Sequence, residues 1–82
     1  MPRQMDQLDH TKRSAVVKRS ILIDSHKTSV SLEDEFWFAL REIAKKEYVA
    51  INTLVARIDR SRGRHNLSSA IRIYVLSYFR RA

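Results

Sequence analysis

The sequence contains no cysteine and a single glycine, Gly63. Without cysteine there are neither disulfides nor thiolate metal sites to reinforce the fold. A lone glycine rules out a glycine-rich phosphate loop, which needs several residues without side chains where the backbone approaches the anion. No run of about twenty apolar residues exists to span a bilayer, and the polar opening stretch lacks the apolar centre of a secretory signal. The expectation is therefore a cytoplasmic protein with no membrane partner. Negative charge is also scarce: nine Asp and Glu stand against sixteen Lys and Arg, a formal net of +7. That balance favours polyanions, nucleic acid ahead of an anionic membrane surface.

Eighty-two residues make one domain at most, and a chain this short buries too small a share of its surface for comfortable stability. Oligomerisation is the expected source of the missing core. Residues 1–15, MPRQMDQLDHTKRSA, show neither helical nor strand periodicity and read as a flexible polar arm whose basic residues add weak attraction to phosphate. The compact domain is expected over 16–82. Its first stretch, VVKRSILI, is rich in β-branched residues and stops at the turn formers Asp24 and Ser25. This predicts a strand, and a hairpin into the next one, with the two strands lying within 16–32.

In HKTSVSL, Thr28, Val30 and Leu32 fall on one side of a strand while Lys27, Ser29 and Ser31 fall on the other, because side chains alternate. The first set is a core face. The second is a cation and two hydroxyls, small enough to enter a groove and able to bond to base edges or phosphates. The same alternation also describes an ordinary solvated strand face, and pattern alone leaves both readings open.

Three helices follow. The first, over 33–47, carries Glu33, Asp34 and Glu35 on its opening turn, where the helix dipole favours negative charge, with Ser31 or Glu33 as its cap. That placement explains the acidic run without a metal or a catalytic carboxylate pair. Phe36, Leu40, Ile43 and Ala44 form its inward stripe, with Trp37 beside it and Phe38 off it. The second helix, 51–62, has Ile51, Leu54, Val55 and Ile58 on one face and ends in SRGRHN, where Gly63 breaks the pattern. The third, 67–80, opens at Asn66 or Ser68 and is apolar almost all round, from Ala70 and Ile71 through Val75 to Phe79. A helix of that kind is buried on more than one side, and the second side is expected to belong to another subunit.

Chemistry beyond binding finds little support. His10, His26 and His65 show no ligand spacing, so neither metal nor cofactor is expected. Nothing arranges Ser, His and Asp as nucleophile, base and orienter, so the protein reads as a non-enzyme. Trp37 and the tyrosines, at helical spacing, read as core rather than as a platform for stacked bases. Arg57, Arg60, Arg62 and Arg64 are either a second phosphate patch or a solvated helix end.

The three blocks HKTSVSLEDEFWFALREIA, NTLVARIDRSR and NLSSAIRIYVLSYF, in that order, resemble the ribbon-helix-helix family of DNA-binding proteins, and more narrowly its short bacterial members with an added C-terminal helix. The likeness covers residues 18 to 80. It implies a mainly α fold with a short β ribbon: an intertwined homodimer in which one strand from each subunit pairs antiparallel and enters the DNA major groove. Carried over by position, the base-facing residues are Lys27, Ser29 and Ser31, and the phosphate-facing ones Lys18, Arg19, Asn52 and Thr53. The dimer core would comprise Val30, Leu32, Phe36, Leu40, Ile43, Leu54, Val55 and Ile58. The implied partners are double-stranded DNA and a second copy, and whether dimers assemble further along DNA stays open. Members commonly enter the second helix through a glycine and a capping Ser or Thr, whereas Tyr48 and Ala50 stand there in this chain. The competing expectation is an antitoxin-like or adaptor module whose apolar third helix and Trp37 hold another protein, so that a polar residue at Ile71 or Val75 would disrupt capture.

Overall fold

The computed structural model describes residues 15–81. Five elements follow in order: β1 (Val16–Ile23), β2 (His26–Glu33), α1 (Asp34–Lys46), α2 (Ile51–Ser61) and α3 (Leu67–Arg81). The expected flexible arm lies outside the described residues, apart from Ala15.

Asp24 and Ser25 both take left-handed backbone angles, φ 48° and 70°. Two such residues in succession make the tight turn whose twist matches that of paired strands, so β1 folds straight back along β2. The antiparallel register runs from Ile23 opposite His26 to Val16 opposite Glu33. This is the hairpin expected within 16–32, carried one residue further to Glu33. Here a two-residue connection places both strands of the ribbon in one chain.

The inner face of the hairpin buries Ile21, Ile23, Val30 and Leu32 against the helices. Arg19 shares that face. Its guanidinium donates to Asp34 Oδ1 at 2.7 Å and lies 4.7 Å from the ring centre of Trp37. Arg19 is thus engaged inside the fold, between β1 and the first turn of α1, rather than standing free for a phosphate.

Helix α1 has Glu33 at its N-cap without a side-chain capping bond, acidic Asp34 and Glu35 in its first turn, and Lys45 and Lys46 in its last, a charge order that suits the helix dipole. Leu40, Ile43 and Ala44 are buried and Phe38 is exposed. The helix stops in a paired C-terminal motif: Val49 N–H donates to Ala44 O at 3.0 Å and Tyr48 N–H to Lys45 O at 3.2 Å. This requires a left-handed residue between them, and Tyr48 supplies it at φ 59°. Helix α2 buries Leu54, Val55, Ala56 and Ile58. Helix α3 is capped by Asn66, whose Oδ1 accepts from Ser69 N–H at 2.8 Å, and it buries Ala70, Ile71 and Val75.

The residues expected in a dimer core lie in the core of the one chain described. Val30, Leu32, Leu40, Ile43, Leu54, Val55 and Ile58 are buried within the single chain, and Phe36 packs at the edge of the same cluster. Each such side chain contributes roughly 1.5–3 kcal/mol on burial, and no second copy is needed to bury them. Ile71 and Val75 likewise point into this chain's own core. The uncovered face of α3 is instead the stripe Ile73, Leu76 and Phe79, which are 48%, 57% and 39% exposed.

Candidate nucleic-acid interface

Strand alternation and the register together fix the outer face of the ribbon. Lys18 stands opposite Ser31, Ser20 opposite Ser29, and Leu22 opposite Lys27. Five of these six residues are exposed and Ser31 is half-buried. Lys27, Ser29 and Ser31 therefore share one face. The structure adds Lys18 and Ser20 to it, whereas their neighbour Arg19 turns inward.

Ser31 is half-buried because α3 lies along its edge. Ser31 N–H donates to Ser68 Oγ at 3.0 Å, and its carbonyl accepts from Arg72 Nη2 at 3.2 Å. Both main-chain groups thus point away from β1, and by alternation so do those of Ser29 and Lys27. Arg72 also donates from Nε to Glu33 Oε1 at 3.0 Å and lies 5.8 Å from the Phe36 ring centre. The Glu33 carboxyl is held below its usual range by a hydrogen bond to its own backbone, with Arg72 adding to the effect against a partial desolvation. At the outer end of β2 the acid is therefore neutralised from within the fold.

The start of α2 is uncapped. Ala50 occupies the N-cap in extended conformation, φ −69° and ψ 151°, with no side-chain bond, and the first helical hydrogen bond is Leu54 N–H to Ala50 O at 3.1 Å. The amides of Ile51, Asn52 and Thr53 consequently have no helical acceptor. Asn52 and Thr53 are exposed. They line one hollow with Leu22, Asp24, Ala56 and Arg60, which puts the α2 N-terminus beside the turn end of the ribbon. Tyr48, just before this helix, is 94% exposed.

The arginines near the α2 C-terminus differ in their surroundings. Arg62 closes on Asp59 at 2.8 Å and donates to His65 O at 2.8 Å, while Arg60 lies 4.0 Å from Asp24. Arg57 and Arg64 are exposed. Among the described residues there is no group of three or more His, Cys, Asp or Glu able to hold a metal, and no helix long and apolar enough to cross a membrane.

Sequence reasoning missed Ser20, Ser68 and Arg72. For Ser20 the local pattern is silent: VVKRSILI runs polar from Lys18 to Ser20 and apolar from Ile21 to Ile23, so only the register opposite Ser29 places Ser20 on the outer face. Ser68 and Arg72 act on a strand 37 and 41 positions away, a relation no local period carries.

Residues 16–79 match the family described as ribbon-helix-helix domain. A solved structure, that of an uncharacterized protein from Bordetella pertussis Tohama I, is similar with a TM-score of 0.68 and 28% sequence identity, over 87% of this chain and 61% of that one. The chain thus spans about three-fifths of that protein's length. Among curated proteins none matches.

Proposed function

This chain belongs to the ribbon-helix-helix domain family, and from that premise we propose that it binds duplex DNA as a homodimeric transcriptional regulator, laying the outer face of its β-ribbon in the major groove. The observation that carries this reading is the composition of that face. It presents Lys18, Lys27, Ser20, Ser29 and Ser31, and the acid at its far end, Glu33, is bound to Arg72. The major groove, about 12 Å wide, admits a two-stranded ribbon.

The expected chemistry is modest base discrimination. Lys27 donates to guanine O6 and N7 as a point charge, without the two-pronged geometry of arginine, while Ser29 and Ser31 donate or accept and so discriminate less sharply. Phosphates flanking the groove would meet the amides and side chains of Asn52 and Thr53 at the open start of α2. Arg19, tied to Asp34, drops out of this role. The test is a titration of labelled duplexes at two salt concentrations. Affinity should fall steeply as salt rises, and Lys27→Ala with Ser29→Ala should erase preference among sequences. Equal preference before and after those changes refutes the reading.

One observation favours a second reading, a protein-binding module of antitoxin-like type: Ile73, Leu76 and Phe79 form an uncovered apolar stripe on α3. Under that reading Leu76→Glu abolishes partner capture while the ribbon variants have no effect.

A further inference from the structure

The two strands of the hairpin carry the same outward pattern. β1 presents Lys18, Ser20 and Leu22; β2 presents Lys27, Ser29 and Ser31. In the antiparallel register Ser20 and Ser29 face each other at the centre, and a half-turn about their midpoint exchanges Lys18 with Lys27 and Leu22 with Ser31. The hairpin is therefore an approximate two-fold object made from one chain, with a hydroxyl pair in the middle and a lysine at each diagonal end.

We infer that β1 supplies half of the DNA-reading surface, with Lys18 and Ser20 facing bases as the counterparts of Lys27 and Ser29. One chain then carries a complete ribbon, and a second copy brings a second ribbon rather than a missing strand. The inference rests on the DNA-binding reading above and assigns Lys18 to bases instead of phosphate.

Three further features support it. Replacing β1 by a strand from another copy means opening the Asp24–Ser25 turn, uncovering Ile21 and Ile23 and breaking the Arg19–Asp34 pair. Adding a strand at the other margin of β2 means displacing Ser68 and Arg72 from Ser31. Finally, Leu22 gives the β1 half an apolar group able to meet a thymine methyl where β2 offers the Ser31 hydroxyl, so the two halves of the site differ in one contact.

The absence of cysteine allows a background-free test. Since the main-chain groups of Ser29 point away from β1, Ser20 and Ser29 form a non-hydrogen-bonded pair, whose Cα atoms lie about 4.5 Å apart, within disulfide reach. The full chain carrying Ser20→Cys and Ser29→Cys, oxidised and run without reductant, should migrate as a linked monomer; covalent dimers overturn the inference. Should that variant fail to fold, Lys18→Cys with Ser31→Cys, the next pair of the same kind, takes its place. Selection from a randomised duplex pool then tests the reading role. Lys18→Ala should lower preference several-fold at the position mirroring the one lost in Lys27→Ala. A uniform loss across all sequences, with a salt slope reduced by about one, makes Lys18 a phosphate contact and overturns its assignment. If the unaltered chain binds no duplex, the DNA reading falls and the role of β1 with it, whereas a linked dimer beside intact DNA binding refutes the one-chain ribbon alone.

Discussion

Arg72 of α3 holds Ser31 of β2 by its main chain, donating to the carbonyl at 3.2 Å while the same guanidinium pairs with Glu33 at 3.0 Å. One side chain thereby joins the last helix to the strand that precedes the first. Arg72→Ala should lower unfolding stability by about 1–2 kcal/mol, the range for a charge-assisted bond at a partly exposed site. Arg72→Lys should recover only part of this, since an ammonium cannot serve two acceptors through a rigid fork. A urea midpoint left unchanged by Arg72→Ala contradicts the assignment.

Acid should weaken the same contact. The Glu33 carboxyl titrates lower in the folded chain than in the unfolded one, first through its own backbone hydrogen bond and then through Arg72. The ionised form is thus favoured by folding. Its contribution is full above the unfolded value and is lost as pH falls through the folded one. Urea midpoints measured from neutral pH down to about pH 3 should decline less steeply for Glu33→Gln than for the natural chain.

Tyr48 lies at φ 59° with its side chain almost wholly in solvent. A left-handed conformation costs a non-glycine residue roughly 1–2 kcal/mol, and the ring recovers nothing by packing. Tyr48→Gly removes that strain but adds freedom to the unfolded chain worth roughly 0.4–1 kcal/mol. The net expectation is stabilisation of about 0.5–1 kcal/mol, a rise of a few degrees in Tm by circular dichroism. A lower Tm would show that the ring makes a contact in solution.

The two faces of α3 should separate cleanly by mutation. Ile71 is fully buried, so Ile71→Ala should cost about 2–5 kcal/mol, a large part of the stability of so small a domain. Leu76 is 57% exposed, and Leu76→Ala should change stability by less than about 0.5 kcal/mol. Chemical denaturation of both variants checks the pair; similar losses would mean that the stripe is covered in solution.

Local periodicity made much of this fold legible. Alternation in HKTSVSL placed Val30 and Leu32 inside and Lys27 and Ser29 outside, and spacing in the first helix separated Leu40 and Ile43 from Phe38. Asp24 and Ser25 marked the turn. What the sequence left hidden depends on distance along the chain. A residue can be known to be apolar without its partner being known: spacing marks Val55 and Ile58 as inward but does not say that they join the hairpin residues Val30 and Leu32 in one cluster. The candidate site was half legible for the same reason. β2 showed its reading face, while Arg19 in β1 broke the visible alternation of polar and apolar residues, because a charged side chain on the inner face is recognisable only once Asp34 and Trp37 stand beside it.

The chain's single tryptophan sits under the Arg19 guanidinium that β1 extends toward α1. Its indole is thus a built-in optical gauge of whether the first strand is seated. If that strand swings away while the helices stay folded, emission and quencher access at Trp37 change with no loss of helical circular dichroism, so hairpin opening can be timed without any attached dye.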